Sequence, residues 1–566
     1  MGEPLGKRQT AVSIATTAMT TDPAFEVDWE EDDQGNPQNW PAWRKALTIF
    51  CISWSTMTVV CYSTSYTSGL PGMMLDFHIS SETVAVLGVT TYLMGLAIGS
   101  VILAPLSEMY GRRPIYVGAM AIFAIFIIPC GVAKNLETIL ICRFFGAFAG
   151  SAMIGNAPGT VNDIISEEYR ALAFSIWSIG PMNGPVIGPL VGGFVYEYLS
   201  WRWTNWVILC SASASFFLIS SVPETYAPAI LRGRAAQRRK ETDDPRWFSR
   251  YDAKKEFWPL LRVNLSRPLW MAVFEPICIF WNLYIAVIYG ILYLCFVAYP
   301  IIFTDDRGWS PGITGLSYVG IGTGTLMMIC SEPLIRRFIN SRKPDPVTGK
   351  PPPEAMVAVV CIASILIPVG ELVFAWTCTP NVHWVVPILA GVPFGIGNGI
   401  VFIYASNYLV YSYGIYAASA LAGNAVLRSA MGATLPLAGP AMYATLGPHW
   451  AGTLLAILEF ALIPIPFVFY RYGGKIRMRS ALIRSMQEDK DRLEQKRRAA
   501  ELRAERLMKS CSQEEAQQAI RDEKELEREV EVERELEEDA EALAAGLGPL
   551  PNPLVRNPSR EERRHN

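Results

Sequence analysis

Long apolar runs recur along this chain, and they restrict its fold more than any other feature of the sequence. Of its 566 residues, 51% are hydrophobic and only 18% are charged. Few soluble folds can hide so much apolar surface. A run of about 20 apolar residues, in contrast, is long enough to cross a hydrocarbon core of ~30 Å as one helix. The sequence therefore predicts an all-α polytopic membrane protein.

We predict about twelve spans in two sets of six, separated by a polar stretch that is too charged to enter a bilayer. The predicted centres are Thr56, Leu93, Ala124, Ala149, Pro185, Ala212, Ala286, Thr323, Leu366, Phe394, Gly432 and Leu458. The even division suggests two repeated halves, as in alternating-access carriers. The predicted domains are a disordered cytoplasmic N-terminus (1–40), an N-terminal six-helix bundle (41–223), a cytoplasmic central loop (224–270), a C-terminal six-helix bundle (271–472) and a charged cytoplasmic tail (473–566).

Positive charge is distributed unequally between the two alternating sets of connections. One set carries only Lys134, Arg202 and Arg307. The basic residues of the other set are Arg112, Arg113, Arg170, those of the run 232–267, Arg336, Arg337, Arg342, Lys343 and Lys350. Because basic connections stay in the cytoplasm, we expect the second set and both termini on that side. The N-terminus has no basic-then-apolar start, so the first span is expected to act as the targeting signal.

The composition argues against several other classes of protein. The net charge is −3 and no basic patch with interleaved aromatic residues occurs outside the tail, so we expect no nucleic-acid partner. The 11 cysteines lie mostly in apolar runs without C-x-x-C pairing, which indicates buried thiols rather than a metal site or disulfides. The spans hold no cluster of His or Asp, as an intramembrane enzyme would require. We expect no enzymatic activity and no cofactor.

A short charged joint, LAPLSEMYGRRPIY at 103–116, connects the second and third predicted spans. Glu108, Gly111, Arg112 and Arg113 fall in this joint, and Asp163 lies at the base of span four. We interpret these residues as a charge network that favours one access state and breaks in the other. The alternative is a solvated turn that only sets topology. A shorter echo, Ser331 to Arg337, follows span eight.

The fifth predicted span repeats glycine and proline at intervals of four residues. The residues concerned are Gly180, Pro181, Gly184, Pro185, Gly188, Pro189, Gly192 and the adjoining Gly193. In a helix this spacing forms a smooth stripe that another backbone can approach closely, while the prolines bend the helix. Ordinary packing of small residues is the alternative interpretation.

These two motifs resemble those of the major facilitator superfamily. The run 184–193 is similar to its antiporter signature, and 103–116 resembles its loop motif in the form found in fungal drug:proton antiporters, with Ala104 and Glu108 as departures from the broader pattern. Further similar motifs are Asn36 to Trp40, Glu275-Pro276, Tyr289 to Tyr293, Ala417 to Ala420 and Leu427 to Ser429. The resemblance covers about 36–472. It implies the major facilitator fold, with twelve helices around a central cavity, export driven by inward proton flow, and no covalent chemistry.

Charged residues inside predicted spans are candidates for cavity or coupling groups. Arg428 is central in span eleven, one turn after Asn424, and such an arginine costs ~2.5–3.5 kcal/mol unless it faces a cavity or a partner. A structural ion pair is the alternative for Arg428, and snorkelling is the alternative for Arg143, Glu275 and Glu459. The first span has no acid between Lys45 and Leu75. We therefore choose Glu371 to carry the coupled proton.

Arg143 also matches, by the resemblance, a superfamily position often tied to proton coupling.

The predicted protein is a monomeric, proton-coupled exporter of small hydrophobic or amphipathic compounds, such as antifungal drugs, toxins or secondary metabolites. We expect it in the plasma membrane, with the vacuolar membrane as the alternative. A polyamine exporter or an uptake permease is the second hypothesis, although a cationic substrate needs more cavity acids than this chain offers. A membrane-embedded enzyme or receptor is the third hypothesis.

The tail beyond about Ser480 is interpreted as a solvated helix or a disordered segment, and its partner is unknown.

Overall fold

A computed structural model describes residues 25–30, 33–166, 169–252, 257–342 and 351–487, together with Arg492 and Arg498. Within these ranges the secondary structure is helical, apart from connecting loops and an isolated parallel bridge between Glu26 and Phe248. This confirms the predicted all-α class. Most of the charged tail lies outside the described residues.

The N-terminal half consists of eight helices. In chain order they are α1 (Ala42–Ser68), α2 (Leu70–Asp76), α3 (Glu82–Tyr110), α4 (Arg112–Gly131), α5 (Leu136–Gly155), α6 (Ala157–Ile164), α7 (Arg170–Tyr198) and α8 (Trp201–Ser221). Gly111 separates α3 from α4 with φ 102°, a left-handed conformation that favours glycine. The Asn135 side chain caps α5 by accepting from the Thr138 N–H at 3.0 Å.

Two helices connect the halves and nine form the C-terminal half. The connecting helices are α9 (Ala227–Thr242) and α10 (Phe257–Phe274). The others are α11 (Pro276–Pro300), α12 (Pro311–Leu316), α13 (Val319–Cys330), α14 (Glu332–Asn340), α15 (Glu354–Thr377), α16 (Val385–Ile400), α17 (Ser406–Tyr413), α18 (Ala417–Leu462) and α19 (Pro464–Arg477). Inside α18, Gly447 has the non-helical angles φ 72° and ψ 164°. This break divides α18 into two passes.

Every predicted span centre lies in a helix, but by length and hydropathy only ten stretches of the described chain qualify as membrane spans. The difference from the prediction has two physical causes. The predicted spans eleven and twelve form one stretch, Ala417–Arg477, because the break at Gly447 is a single residue. The fifth span, α7, is a helix of 29 residues whose glycines and prolines lower its mean hydropathy.

Part of the predicted disordered N-terminus is folded. Val27 is buried against Leu231 and Ala235 of α9. Ion pairs between acids of 25–40 and arginines of the central loop surround this contact, including Asp33 with Arg234. The Arg234 hydrogen bond lowers the pKa of Asp33. The described residues of 25–40 are thus folded rather than disordered, because the basic helix α9 neutralises their acidic side chains.

The two halves meet where α3 packs against α18 and where α7 packs against α12 and α13. We call the end of the bundle that carries Arg112, Arg232 and Arg336 the basic end, and the other end the opposite end. At the opposite end, the Gly312 N–H donates to the Glu197 carboxylate of the other half at 2.8 Å.

Candidate functional site

The joint between α3 and α4 is built around the buried side chain of Arg112. Its Nε lies 3.4 Å from Asp163 Oδ2, and its Nη1 donates to Ser107 Oγ at 2.5 Å. The guanidinium also lies over the Tyr226 ring at 5.0 Å. Arg112 therefore ties α3, α6 and the segment after α8 together.

Glu108 forms no ion pair with Arg112 among the described residues, although its charge acts on both Arg112 and Asp163 through space. Among the ion pairs of the described residues, Arg112 is joined to Asp163, while Glu108 is exposed at the surface. Glu108 is the fourth residue before Arg112, but the break of the helix at Gly111 alters the register between them. Arg113 is also exposed, and it donates to the Ser220 carbonyl at 3.1 Å.

Glu224 takes the central acidic position, and sequence analysis did not single it out. Its carboxylate accepts the backbone N–H groups of Arg112 and Arg113 at 2.9 and 3.1 Å, and those of Thr225 and Tyr226 at 3.0 and 2.9 Å. The first two belong to the N-terminus of α4, whose N–H groups have no partner within the helix. The available signal was an acid directly after the sixth span, in Pro223-Glu224-Thr225.

The echo in the second half forms its own ion pair. Glu332 and Arg336 interact through two hydrogen bonds, at 3.0 and 2.9 Å, one turn apart on α14. Nearby, Arg477 lies 2.7 Å from Glu354 and connects α19 to α15. Both halves thus carry charge pairs at the basic end.

The glycine stripe of α7 packs directly against the backbone of α1. A Cβ atom added at Gly184 would lie 3.0 Å from the Met57 carbonyl oxygen, and one at Gly192 would lie 2.9 Å from that of Ser65. Gly180 and Gly188 face Ser53 and the Cys61–Ser65 turn in the same way. Gly193 faces Pro311 of the other half instead. The stripe therefore serves both the packing inside one half and the contact between halves.

Hydroxyl groups of α1 satisfy carbonyl groups that the α7 prolines leave free. A proline has no N–H, so the carbonyl four residues before it loses its helical donor. Ser53 donates to the Trp177 carbonyl, four residues before Pro181, at 2.9 Å. Thr64 donates to the Pro185 carbonyl, four residues before Pro189, also at 2.9 Å. This arrangement lets a proline-rich helix remain inside an apolar bundle.

Arg143 lies in an aromatic box inside the N-terminal half. Its guanidinium carbon is 4.7, 4.3 and 4.8 Å from the ring centroids of Tyr62, Tyr66 and Tyr92. Its Nε donates to the Gly88 carbonyl at 2.8 Å, and its Nη2 donates to the Tyr62 carbonyl at 3.1 Å. The side chain is 1% exposed, so it does not snorkel to the surface.

Arg428 and Asn424 face α11 from successive turns of α18. Asn424 donates to Asn282 at 3.0 Å. The Arg428 guanidinium lies 4.7 Å from the Phe402 ring centroid and 5.5 Å from that of Tyr289. Among the described residues it forms no ion pair and its Nε has no hydrogen-bond partner, so the structural ion pair considered above is not formed.

Two buried acids lie together between α11, α15 and α18. Glu371 is 2% exposed and Glu459 3%. The Cys295 thiol donates to Glu371 Oε2 at 3.9 Å, while Glu371 Oε1 and both Glu459 oxygens have no partner among the described residues. Gly452, two turns before Glu459, faces Glu371 Oε1. Glu275, by contrast, is held at the basic end by Tyr413 and Ser480, and burial raises its pKa.

A family model described as the Major Facilitator Superfamily matches residues 46–434. The chain belongs to the major facilitator superfamily. It is therefore a membrane transporter and not an enzyme, which confirms the resemblance drawn from the motifs.

Several fungal transporters are among the curated relatives of this superfamily transporter. It is 40% identical to a citrinin biosynthesis cluster MFS transporter of Monascus ruber, over 84% of this chain and 94% of that protein. It is 39% identical to a major facilitator superfamily multidrug transporter of Aspergillus fumigatus, over 81% of this chain and 76% of the relative. An efflux pump of Gibberella moniliformis is 37% identical over 81% and 78% of the two chains.

Solved structures with the same fold support the arrangement of the transporter's helices. The proton:xylose symporter bound to 6-bromo-6-deoxy-D-glucose aligns with a TM-score of 0.56 at 14% identity, covering 76% of this chain and 96% of that chain. A POT family transporter in complex with a thioalcohol conjugated peptide aligns with a TM-score of 0.57 at 13% identity, covering 79% and 100%. Because the identities are low, these similarities concern the fold alone.

Proposed function

We propose that this transporter exports small hydrophobic or amphipathic compounds from the cytoplasm in exchange for protons, by alternating access at the plasma membrane. The names of the relatives support export, since they include a multidrug transporter and an efflux pump. The excess of arginine at the basic end supports a cytoplasmic location for that end and for both termini.

Contacts between the halves support the alternating-access part of the proposal. Besides Gly312 with Glu197, the Ser63 and Tyr293 hydroxyls lie 3.1 Å apart, and Thr90 donates to the Ala433 carbonyl at 2.7 Å. These contacts lie in the middle of the bundle and towards its opposite end. To open at the opposite end, the transporter must break these contacts between the halves. It then closes at the basic end, around the Arg112 network.

The observation that carries proton coupling is the buried pair Glu371 and Glu459. Three of their four carboxylate oxygens have no partner among the described residues, and a buried charge without a partner is costly. Two neighbouring buried carboxyl groups cannot both ionise cheaply, so they hold at least one proton. We propose that this proton is exchanged during the transport cycle, with Glu371 as its carrier.

The test uses purified protein in liposomes that contain a pH-sensitive dye, with a panel of antifungal drugs and hydrophobic compounds added. We expect a compound from the panel to move together with a counter-flow of protons. Glu371→Gln and Glu459→Gln are expected to abolish proton movement while compound binding remains. The matched control is Glu137→Gln, an exposed acid at the opposite end. Transport without proton movement in the wild type would refute the coupling, and absence of any transported compound would refute the exporter.

A further inference from the structure

Arg428 lies next to the closed contact between the two halves. On α18, Gly432 faces Leu93 of the other half, and the neighbouring Ala433 accepts from Thr90. Arg428 is one helical turn before Gly432, towards the basic end from which α18 begins. It is thus the charged residue of α18 that lies nearest to that contact on the side of the basic end. In the transport cycle proposed above, a compound that entered from the basic end and stopped at the contact would meet this side chain.

The guanidinium of Arg428 has no counter-ion in the part of the chain that the structure describes. Its contacts are the faces of two rings, and its Nε–H has no acceptor. The buried acids Glu371 and Glu459 of the same half lie together between α11, α15 and α18, and neither forms an ion pair with Arg428. A cation in an apolar bundle therefore lacks an anion.

Hydrogen-bond donors are also in excess beside Arg428. Asn424, one turn away, donates to the Asn282 oxygen, and this leaves the Asn282 Nδ2 group without an acceptor although Asn282 is 1% exposed. Tyr289 follows Asn282 two turns later on the same face of α11. An arginine and an amide thus offer N–H groups beside the rings of Tyr289 and Phe402. Such a set suits a carboxylate attached to a planar apolar body.

We propose that Arg428 is the counter-ion of the transported compound, and that the substrates include aromatic carboxylic acids bound as anions. Arg428 pairs with the carboxylate, Asn282 donates a further hydrogen bond, and the Tyr289 and Phe402 rings pack against the aromatic body. This inference rests on the export function proposed above and narrows it from amphipathic compounds in general to organic anions.

The experiment measures binding by calorimetry to the full-length protein in lipid nanodiscs. The probes are benzoate, 2-naphthoate and 3-(4-hydroxyphenyl)propionate, each compared with its methyl ester and with the amine in which an aminomethyl group replaces the carboxylate. We expect at least one acid to bind about tenfold or more tightly than its ester and amine. Arg428→Ala is expected to weaken binding of that acid about 10- to 100-fold and to leave the ester unchanged.

Two further variants separate recognition from folding. Arg428→Lys keeps the charge but not the planar donors, so it is expected to retain part of the preference for the acid. The exposed Arg479→Ala removes a positive charge outside the bundle and is expected to change nothing. Equal binding of every acid and its ester by the wild type would overturn the proposal, as would an equal loss of acid and ester binding in Arg428→Ala. Neither result would refute proton-driven export of neutral compounds, which the liposome assay measures separately.

Discussion

The carboxylate of Glu224 and the guanidinium of Arg112 show how single residues hold the joint between α3 and α4. Glu224 accepts N–H groups at the start of α4, while Arg112 reaches Ser107 and Asp163. One residue fixes the backbone of the joint, and the other connects it to α6. The two have separable effects because they act on different atoms.

Replacing Glu224 with Ala is expected to lower the free energy of unfolding by about 1–3 kcal/mol, because N–H groups at the start of α4 lose a charged acceptor. Glu108→Ala is the matched control, since Glu108 is an exposed acid of the same joint. Thermal unfolding of the detergent-purified variants measures the difference. An equal loss of stability in both variants would contradict the role given to Glu224.

Replacing Arg112 with Gln is expected to reduce the transport rate about tenfold or more while substrate affinity changes little. The reason is that Arg112 lies in the joint, whereas the proposed binding residues lie in the middle of the bundle. Transport rates in liposomes and binding by calorimetry measure the two quantities separately. A loss of affinity as large as the loss of rate would place Arg112 in binding rather than in switching.

At the scale of helices, the close approach of α7 to α1 depends on glycine for space and on hydroxyl groups for satisfied carbonyls. Gly184 lies against the Met57 carbonyl oxygen, and Thr64 replaces the donor that Pro189 lacks. Both features belong to one interface. The interface is therefore destabilised either when a larger side chain replaces a glycine or when the carbonyl groups lose their hydrogen-bond donors.

Gly184→Leu is expected to prevent stable folding or to abolish transport, because even its Cβ would lie 3.0 Å from a backbone oxygen of α1. Overpacking of this kind costs about 1–3 kcal/mol or more. Gly118→Leu on α4 is the matched control, since a Cβ there meets nothing within 4 Å. Surface expression and thermal unfolding measure both variants. Normal behaviour of Gly184→Leu would show that α1 and α7 are not held this closely.

The sequence was informative about elements and less so about their partners. The spacing of Gly180, Gly184 and Gly188 predicted a close approach of another backbone, because helical periodicity alone puts them on one face. It did not identify α1 as the neighbour or Ser53 and Thr64 as donors, since these contacts join residues more than a hundred positions apart. For the same reason Arg112 was predicted with its near neighbour Glu108, and Glu224 was missed.

On the scale of the whole molecule, the two halves are held together at the opposite end by a charged acceptor. Glu197 on α7 binds the first turn of α12 through the Gly312 N–H. The same region contains the close approach of Gly193 to Pro311. In the alternating-access cycle proposed above this contact would belong to one access state, so its strength would set the population of that state.

Glu197→Ala is expected to raise the population open at the opposite end about tenfold, because a hydrogen bond to a charged group is lost. The measurement is the labelling rate of Ser63→Cys by a membrane-impermeant maleimide, in a background without the reactive native cysteines. Glu137→Ala, an exposed acid at the same end, is the control. An unchanged labelling rate would show that Glu197 does not stabilise the closed contact.

The folded N-terminal segment affects which part of the central loop connects the two halves. Val27 and Asp33 bind α9, and Arg232 of α9 donates to the Met109 carbonyl of α3 at 2.7 Å. The segment and α9 are therefore bound to the first half. The described part of the central loop up to Asp252 therefore belongs to the first half, since Asp252 also pairs with Arg239 of α9. A fluorescent protein inserted at 253–256 should thus report the separation of the halves. One inserted within α9 should instead disrupt the packing of α9 against the N-terminal segment and α3.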